Sequence, residues 1–296
     1  MPRGPTASSL DALWNFSDPA ASERRFRRFL RDLKRASNPG LAAEALTQVA
    51  RAEALQRKFR AAHRTLDSLA PRLSRLAPRA RTRYLLERGR TFNSGGAPRK
   101  ALPLFLAAWK GALAHGDDAL AIDAAHMAAL VASGARQRSW NEKALKIAEG
   151  SRSRRARRWR ASLHNNIGWS DVEAGDYRSA LRNFQRAVRL RQRQGDASET
   201  RIARWCVAKA LRLLGRVPEA LRVQRRLLAA WRRARRKDGY VFEELGECLL
   251  ALHQPREARP FFRAAYAELS RDAWVQANEP NRVKRLRRLG EGLPSG

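Results

Sequence analysis

The sequence predicts an all-α solenoid of about six stacked helix-turn-helix units, and three observations carry that expectation. A pattern of small and bulky residues recurs every 38–40 positions. Each copy holds two runs with apolar residues at i, i+3, i+4 and i+7, the stripe of an amphipathic helix, separated by a turn. No sustained period-two run bounded by hairpin turns occurs anywhere, so strands are not expected.

The clearest copy is HNNIGWSDVEAGDYRSALRNFQRAVRL (164–190), in which Gly168 is followed by Gly175, Tyr177, Ala180, Phe184 and Ala187. The same offsets return at Gly89, Gly96, Ala101, Phe105 and Ala108, at Ala208, Gly215 and Ala220, and at Gly246, Ala258, Phe262 and Ala265. Near the N-terminus Ala50, Phe59, Ala62, Leu66 and Leu69 fit, and a looser copy runs through Ala128, Trp140 and Ala144. Units then start near 43, 82, 121, 161, 201 and 239. The small residues let two helices cross closely, and the bulky ones fill the gaps between successive pairs. One pair cannot bury its own apolar face, so the units must stack.

Residues 1–40 form an N-terminal segment. Its first twenty are rich in Pro, Ser and Asp and read as irregular, with Leu10, Leu13 and Trp14 placed to fold back as a cap. SERRFRRFLRDLKRA (22–36) reads as a helix N-capped by Ser22, with Phe26, Leu30 and Leu33 on its apolar side and Pro39-Gly40 as its stop. The repeat array is expected over 41–280. Turns such as Ala174-Gly175-Asp176 and Ser94-Gly95-Gly96-Ala97-Pro98 divide the two helices of a unit. Residues 281–296 are a basic helical turn from Arg282 to Arg288 followed by a flexible tail, EGLPSG.

GWSDVEAGDYRSALRNFQRAV closely resembles the consensus of the tetratricopeptide repeat (TPR) family, and the resemblance spans roughly 43–275. The long period is most similar to the longer-helix TPRs of kinesin light chains and MalT-like bacterial regulators. The resemblance implies a right-handed superhelical TPR solenoid that binds partners rather than performing catalysis. Two places depart from the pattern. The third unit lacks Gly at its turn register and has Trp140 where Ala is usual, and the fifth has Gln224 where an aromatic is usual.

The chain carries 61 Lys+Arg against 28 Asp+Glu, a formal net charge of +33. Only nine of the basic residues are Lys, so the excess is arginine, which pairs bidentately with carboxylate or phosphate. Such a charge points to an extended shape or an acidic partner. No apolar run is long enough to span a bilayer, and residues 1–20 lack the apolar core of a secretory signal, so a cytoplasmic protein without membrane association is expected. Cys206 and Cys248 are too few and too isolated for a zinc site or a disulfide framework, and they read as small core residues.

No nucleophile-elbow, phosphate-loop, zinc-protease or dinucleotide motif is present, and the five histidines are spread over different units. A non-enzymatic chain with no metal and no cofactor is expected. Asp117-Asp118 and Glu243-Glu244 are adjacent carboxylates, but helix neighbours point about 100° apart and do not share a proton. The former reads as a loop or helix start, the latter as part of a binding face.

The TPR resemblance implies that the first helix of each pair lines the concave groove. It nominates Arg51, Arg83, Arg90, Asn93, His126, Asn165, Asn166, Trp169, Trp205, Lys209, Arg212, Tyr240, Glu243 and Glu247. Asn amides bracket a peptide backbone, Arg and Lys hold carboxylates, and the tryptophans seat an apolar side chain. The expectation is a scaffold or adaptor binding a protein or peptide, acidic in character. The set lacks the compact Lys–Asn–Asn–Lys–Arg constellation of the TPRs that clamp chaperone tails. An alternative is an RNA- or DNA-binding array. Arg154, Arg155, Arg157 and Arg158 beside Trp159, and Arg232, Arg233, Arg235 and Arg236 after Trp231, would hold phosphates while the aromatics stack bases. A second alternative is a TPR regulator that senses a ligand or signalling peptide. Oligomeric state is left open.

Overall fold

The computed structural model describes residues 7–35 and 38–292. Every element among them is helical, and no strand occurs. The chain divides into two compact units, Met1–Leu163 and His164–Gly296.

The first unit opens with α1 (Ala7–Ala12) and α2 (Pro19–Arg35). Three helix pairs follow: α3 (Pro39–Leu55) with α4 (Phe59–Asp67), α5 (Pro78–Ser94) with α6 (Pro98–Ala114), and α7 (Asp118–Leu130) with α8 (Gly134–Gly150). A short helix, α9 (Arg154–Arg158), ends this part, and α10 (Arg160–Glu173) begins in the first unit and ends in the second. In the second unit α10 packs on α11 (Tyr177–Gln194), α12 (Ala197–Leu213) on α13 (Val217–Arg233), and α14 (Gly239–Ala251) on α15 (Pro255–Leu269). The unit closes with α16 (Ala273–Asn278) and α17 (Pro280–Glu291), the latter packed on α15.

First helices begin at, or up to four residues before, the repeat starts read from the sequence. Three of the early starts carry a side-chain cap, with Asn38, Asp117 and Asp196 each accepting a backbone N–H of the first turn, whereas α5 starts at Pro78 behind Ala77 without one, and Asp238 caps α14 at its expected start. Pro39 is therefore the first residue of α3 rather than a stop for α2. Asp18, not Ser22, accepts the Ala21 N–H at the start of α2, at 2.8 Å. Ser22 lies inside that helix, where its hydroxyl takes the Asn15 N–H at 2.7 Å and donates to the Asn15 carbonyl at 2.9 Å. Residues 293–296, most of the expected tail, lie outside the described residues.

The turns between paired helices share one left-handed residue, at Gly96, Gly175 and Gly215 in three units and at Arg57 and His253 in two others. The third unit, which has no Gly at that register, places Gly134 in the same conformation one residue early. That shift accounts for its looser match to the repeat.

The pairs close through one recurrent contact. A methyl group built on Gly89 would meet the Phe105 ring at 2.5 Å, on Gly168 the Phe184 ring at 2.5 Å, and on Gly246 the Phe262 ring at 2.8 Å. These three rings are fully buried or nearly so. Where the ring is absent the glycine is absent as well. Ala50 faces the register of Leu66, Ala128 that of Ala144, and Ala208 that of Gln224, each pair at the same sequence offset. The anomalous Gln224 is 0% exposed, and neither its amide nitrogen nor its oxygen has a hydrogen-bond partner. A buried amide left unpaired costs about 1–3 kcal/mol.

Gln224→Leu is therefore expected to raise the stability of the chain by about 1–2 kcal/mol in urea unfolding. Gln224→Phe alone overpacks against the Ala208 methyl and lowers stability by about 1–3 kcal/mol, while Gln224→Phe with Ala208→Gly recovers it. Additive single effects, with no recovery in the double variant, would refute the crossing as described.

Candidate functional site

In the first unit α3 packs beside α5, and charged residues along that seam, Glu44, Arg83 and Glu87 among them buried, form a lattice of alternating charge. Glu44 on α3 takes Arg79 at 3.1 Å and Arg83 at 3.1 Å from α5, and Arg79 continues to Asp117 at the head of α7. One turn on, Arg51 lies 3.8 Å from Glu87, which accepts from Arg90 at 2.6 Å, and Arg90 reaches Asp123 on α7. His126 tilts against the Trp159 ring, centroids 5.3 Å apart. Asn93 is half-buried near the end of α5.

Burial would raise the Asp123 carboxyl, but the guanidiniums of Arg90 and Arg51 override it and hold it below its ordinary 3.8. Burial lowers the His126 imidazole, with Asp123 opposing and Arg90 reinforcing the effect. Burial also lowers the Arg83 guanidinium. Adjacent Asp117 and Asp118 do separate jobs. Asp117 caps α7 through the Leu120 N–H at 3.0 Å, and Asp118 accepts the Ser151 hydroxyl at 2.6 Å.

The second unit carries a row of half-buried aromatics backed by its core. Trp169 on α10 stands edge-on to Phe184 at 5.6 Å and 6.0 Å from Trp205 on α12, and Trp205 lies 6.2 Å from Tyr240 on α14. Trp205 is oriented by its indole N–H, which donates to the Tyr240 carbonyl at 3.0 Å. Cations line this row: Lys209 is 5.4 Å from the Trp205 ring and Arg282 is 4.9 Å from the Tyr240 ring.

Those cations are also paired. Glu244 receives Lys209 at 3.7 Å and a two-pronged contact from Arg212, while Glu243 is clasped by Arg282 and Glu247 by Arg285, both on α17. The two consecutive glutamates thus tie α14 to its neighbours on opposite sides. Asn165 Oδ1 lies 3.5 Å from the Cys206 thiol, and Asn166 is half-buried beside it on α10. Burial pushes both Cys206 and Cys248 up to about 12, so neither is a thiolate at neutral pH. Among the described residues no cluster of His, Cys, Asp and Glu is placed to hold a metal ion.

The residues nominated from sequence do not include Arg282 and Arg285, read as a terminal basic turn, or Glu44, Glu87 and Asp123, which pair with the nominated arginines. Their ordinary i+3 and i+4 spacing gives no signal for partners 30 or more residues away.

The arginine clusters depart from expectation. The first lies in its own short helix, α9. Arg154, Arg155, Arg157 and Arg158 are exposed there, and Arg155 pairs with Asp11 at 2.8 Å. Arg232, Arg233, Arg235 and Arg236 are exposed around the end of α13. The aromatics expected to stack bases face inward instead: Trp159 packs into a core cluster, and Trp231 is buried under Arg201, 4.4 Å from its ring.

No family model and no curated protein sequence matches the chain. Solved structures do. The apo form of RapI superposes with a TM-score of 0.75 at 11% identity, over 96% of this chain and 80% of that one. A tetratricopeptide repeat protein from Parabacteroides merdae superposes at 0.53 with 17% identity, covering 96% of each chain. The fold is that of the TPR proteins. NprR, a quorum sensor from B. thuringiensis, is similar in its apo form, with a TM-score of 0.65, 16% identity and coverage of 94% of this chain and 80% of that one. NprR in complex with its cognate peptide NprX gives 0.59 at 17% identity, over 97% and 85%. No helix among the described residues is long and apolar enough to cross a membrane.

The Asp123 carboxyl is expected to stabilise the first unit with a definite pH dependence. Because its folded value lies below the unfolded 3.8, the contribution is complete above that pH and is lost as pH falls through the folded value. Asp123→Asn should lower stability at neutral pH by about 2–4 kcal/mol, since it leaves Arg90 buried and short of its partner. The acid limb of the stability profile should flatten in the variant, and an unchanged limb would remove Asp123 from the account.

Proposed function

We propose that this chain is a non-enzymatic binding protein that receives a peptide or an extended protein segment on the first-helix faces of its helix pairs. The observation that carries this reading is the aromatic row Trp169–Trp205–Tyr240, half-exposed on three successive first helices and held in place by ion pairs behind it. Rings fixed at one edge and open at the other suit apolar side chains spaced along an extended chain. The resemblance in fold to NprR, solved with its peptide NprX, supports a peptide ligand and a regulatory role over a passive scaffold. The groove residues nominated from sequence serve two purposes in this reading: Trp169, Trp205 and Tyr240 meet the ligand, while Lys209, Arg212, Glu243 and Glu247 preorganise them. A cytoplasmic location is in keeping with the reduced, buried thiols.

A second reading, nucleic-acid binding, rests on a different surface. Arg178, Arg182, Arg186, Arg189 and Arg193 form an exposed stripe along α11, and none of them has an ion pair among the described residues. Phosphate contact there needs no base stacking.

Affinity capture from nuclease-treated native lysate separates the two. Proteins retained by the wild-type chain are expected to be lost with Trp169→Ala/Trp205→Ala while helicity and melting stay close to wild type. Loss of every bound species on nuclease treatment, with a salt slope that falls when the α11 stripe is changed to glutamine, would favour the second reading. Global unfolding of the double variant would show the tryptophans to be core and overturn the first.

A further inference from the structure

The N-terminal segment does more than cap the array. Leu10 is fully buried with Phe26, Leu33, Leu41 and Val49, which anchors the segment at the side of α3. Beyond that anchor the chain lies on the first-helix face of its own unit. The Trp14 indole N–H donates to Gln48 Oε1 at 3.1 Å. The Trp14 and Phe16 rings stack on each other, 4.7 Å apart and 3° from parallel, and the Arg51 guanidinium sits 5.3 Å from both. Asp11 bridges two further elements, pairing with Arg155 of α9 at 2.8 Å and lying 3.8 Å from Arg83 of α5. Two residues nominated as ligand contacts, Arg51 and Arg83, are thus already engaged by residues 11–16.

The fit is incomplete, and the shortfall is informative. Phe16 remains 60% exposed, and Asp11 keeps 42% of its side-chain surface. Arg83 is only 2% exposed, yet its Nε and Nη2 make no hydrogen bond: Glu44 is within ion-pair distance of Nε without the alignment, and Asp11 is too far from Nη2. A guanidinium enclosed with two idle donors is a site that a better-placed carboxylate would complete.

We propose that residues 11–16 are an internal stand-in for a peptide ligand of the first unit, and that this face recognises an acidic side chain followed at three and five residues by aromatics, the pattern Asp11-x-x-Trp14-x-Phe16. The carboxylate binds between Arg83 and Arg155, and the aromatic pair binds under Arg51 beside Gln48. A free peptide of this kind must displace the segment, so the wild-type chain binds it with an affinity reduced by the fraction of time the face is open. This rests on the peptide-binding reading above and supplies the acidic and aromatic chemistry of the ligand.

The test uses the full chain and a fluorescein-labelled synthetic peptide of residues 8–18, SSLDALWNFSD, followed by anisotropy. Asp11→Ala/Trp14→Ala/Phe16→Ala vacates the face while keeping the Leu10 anchor, and it should bind the peptide about tenfold more tightly than wild type. A peptide with Asn in place of Asp11 should bind several-fold more weakly, and Arg51→Ala/Arg155→Ala in the vacated chain should abolish the gain. Should the triple variant lose helicity, Asp11→Asn changes one exposed side chain and should still tighten binding by about two- to fivefold. Equal binding by wild type and vacated chain, equal binding of the Asn peptide, or displacement by heparin of both peptides alike would overturn the proposal, the last by showing a surface that reads charge only. If the peptide fails while cellular proteins captured by the chain still depend on Trp169 and Trp205, this inference falls and the peptide-binding reading stands.

Discussion

The crossing of the two helices in each pair sets the geometry of everything else. At Gly89, Gly168 and Gly246 the backbone lies so close to a phenylalanine ring that no side chain can intervene, and in the units without that ring alanine suffices. Glycine in a helix interior costs about 1 kcal/mol relative to alanine, so its use at these positions is explained by the ring it admits and not by local preference. A large ring buried against bare backbone brings the pair together at a set distance, and each pair then offers its neighbour a fixed apolar surface. The stack of first helices, and hence the spacing of residues across their faces, follows from that contact.

A chain with a formal charge of +33 invites the view that its binding surface is a bath of positive charge. The faces are different. Arg51, Arg83, Arg90, Lys209, Arg212, Arg282 and Arg285 all lie beside carboxylates contributed by an adjacent helix. In half-buried positions such pairs hold side chains in place while adding little net charge. The unpaired arginines sit elsewhere, on exposed stripes such as that of α11, where they act on solubility and long-range attraction more than on recognition. The faces present shape and aromatic surface, with charge concentrated at a few paired points.

The N-terminal segment shows how a loosely seated element fits this arrangement. It is tethered by the deeply buried Leu10 and by the half-buried Trp14, which packs edge-on to Phe26, while Asp11 and Phe16 touch the face from exposed positions. An element held by few buried contacts opens at low cost. Its contacts with Arg51 and Arg83 are the observations on which the proposal of a displaceable segment rests.

Much of this was legible in one dimension. The period, the two helices per unit, the turn register at Gly96, Gly175 and Gly215, and the anomaly at Gln224 all follow from residue spacing, because periodic burial imposes periodic composition. Nearest-neighbour stacking also told which residues share a face, so Trp169, Trp205 and Tyr240 could be grouped before any coordinates. Their pairing states could not. Whether Glu243 turns to Arg282 or Glu244 to Arg212, whether Trp159 faces a ligand or the core, and where Asp11 comes to rest depend on rotamers and on neighbours far along the chain. Local pattern determines which helices form and which sides they bury, whereas the charge and accessibility of a face are set by long-range contacts that leave no periodic trace.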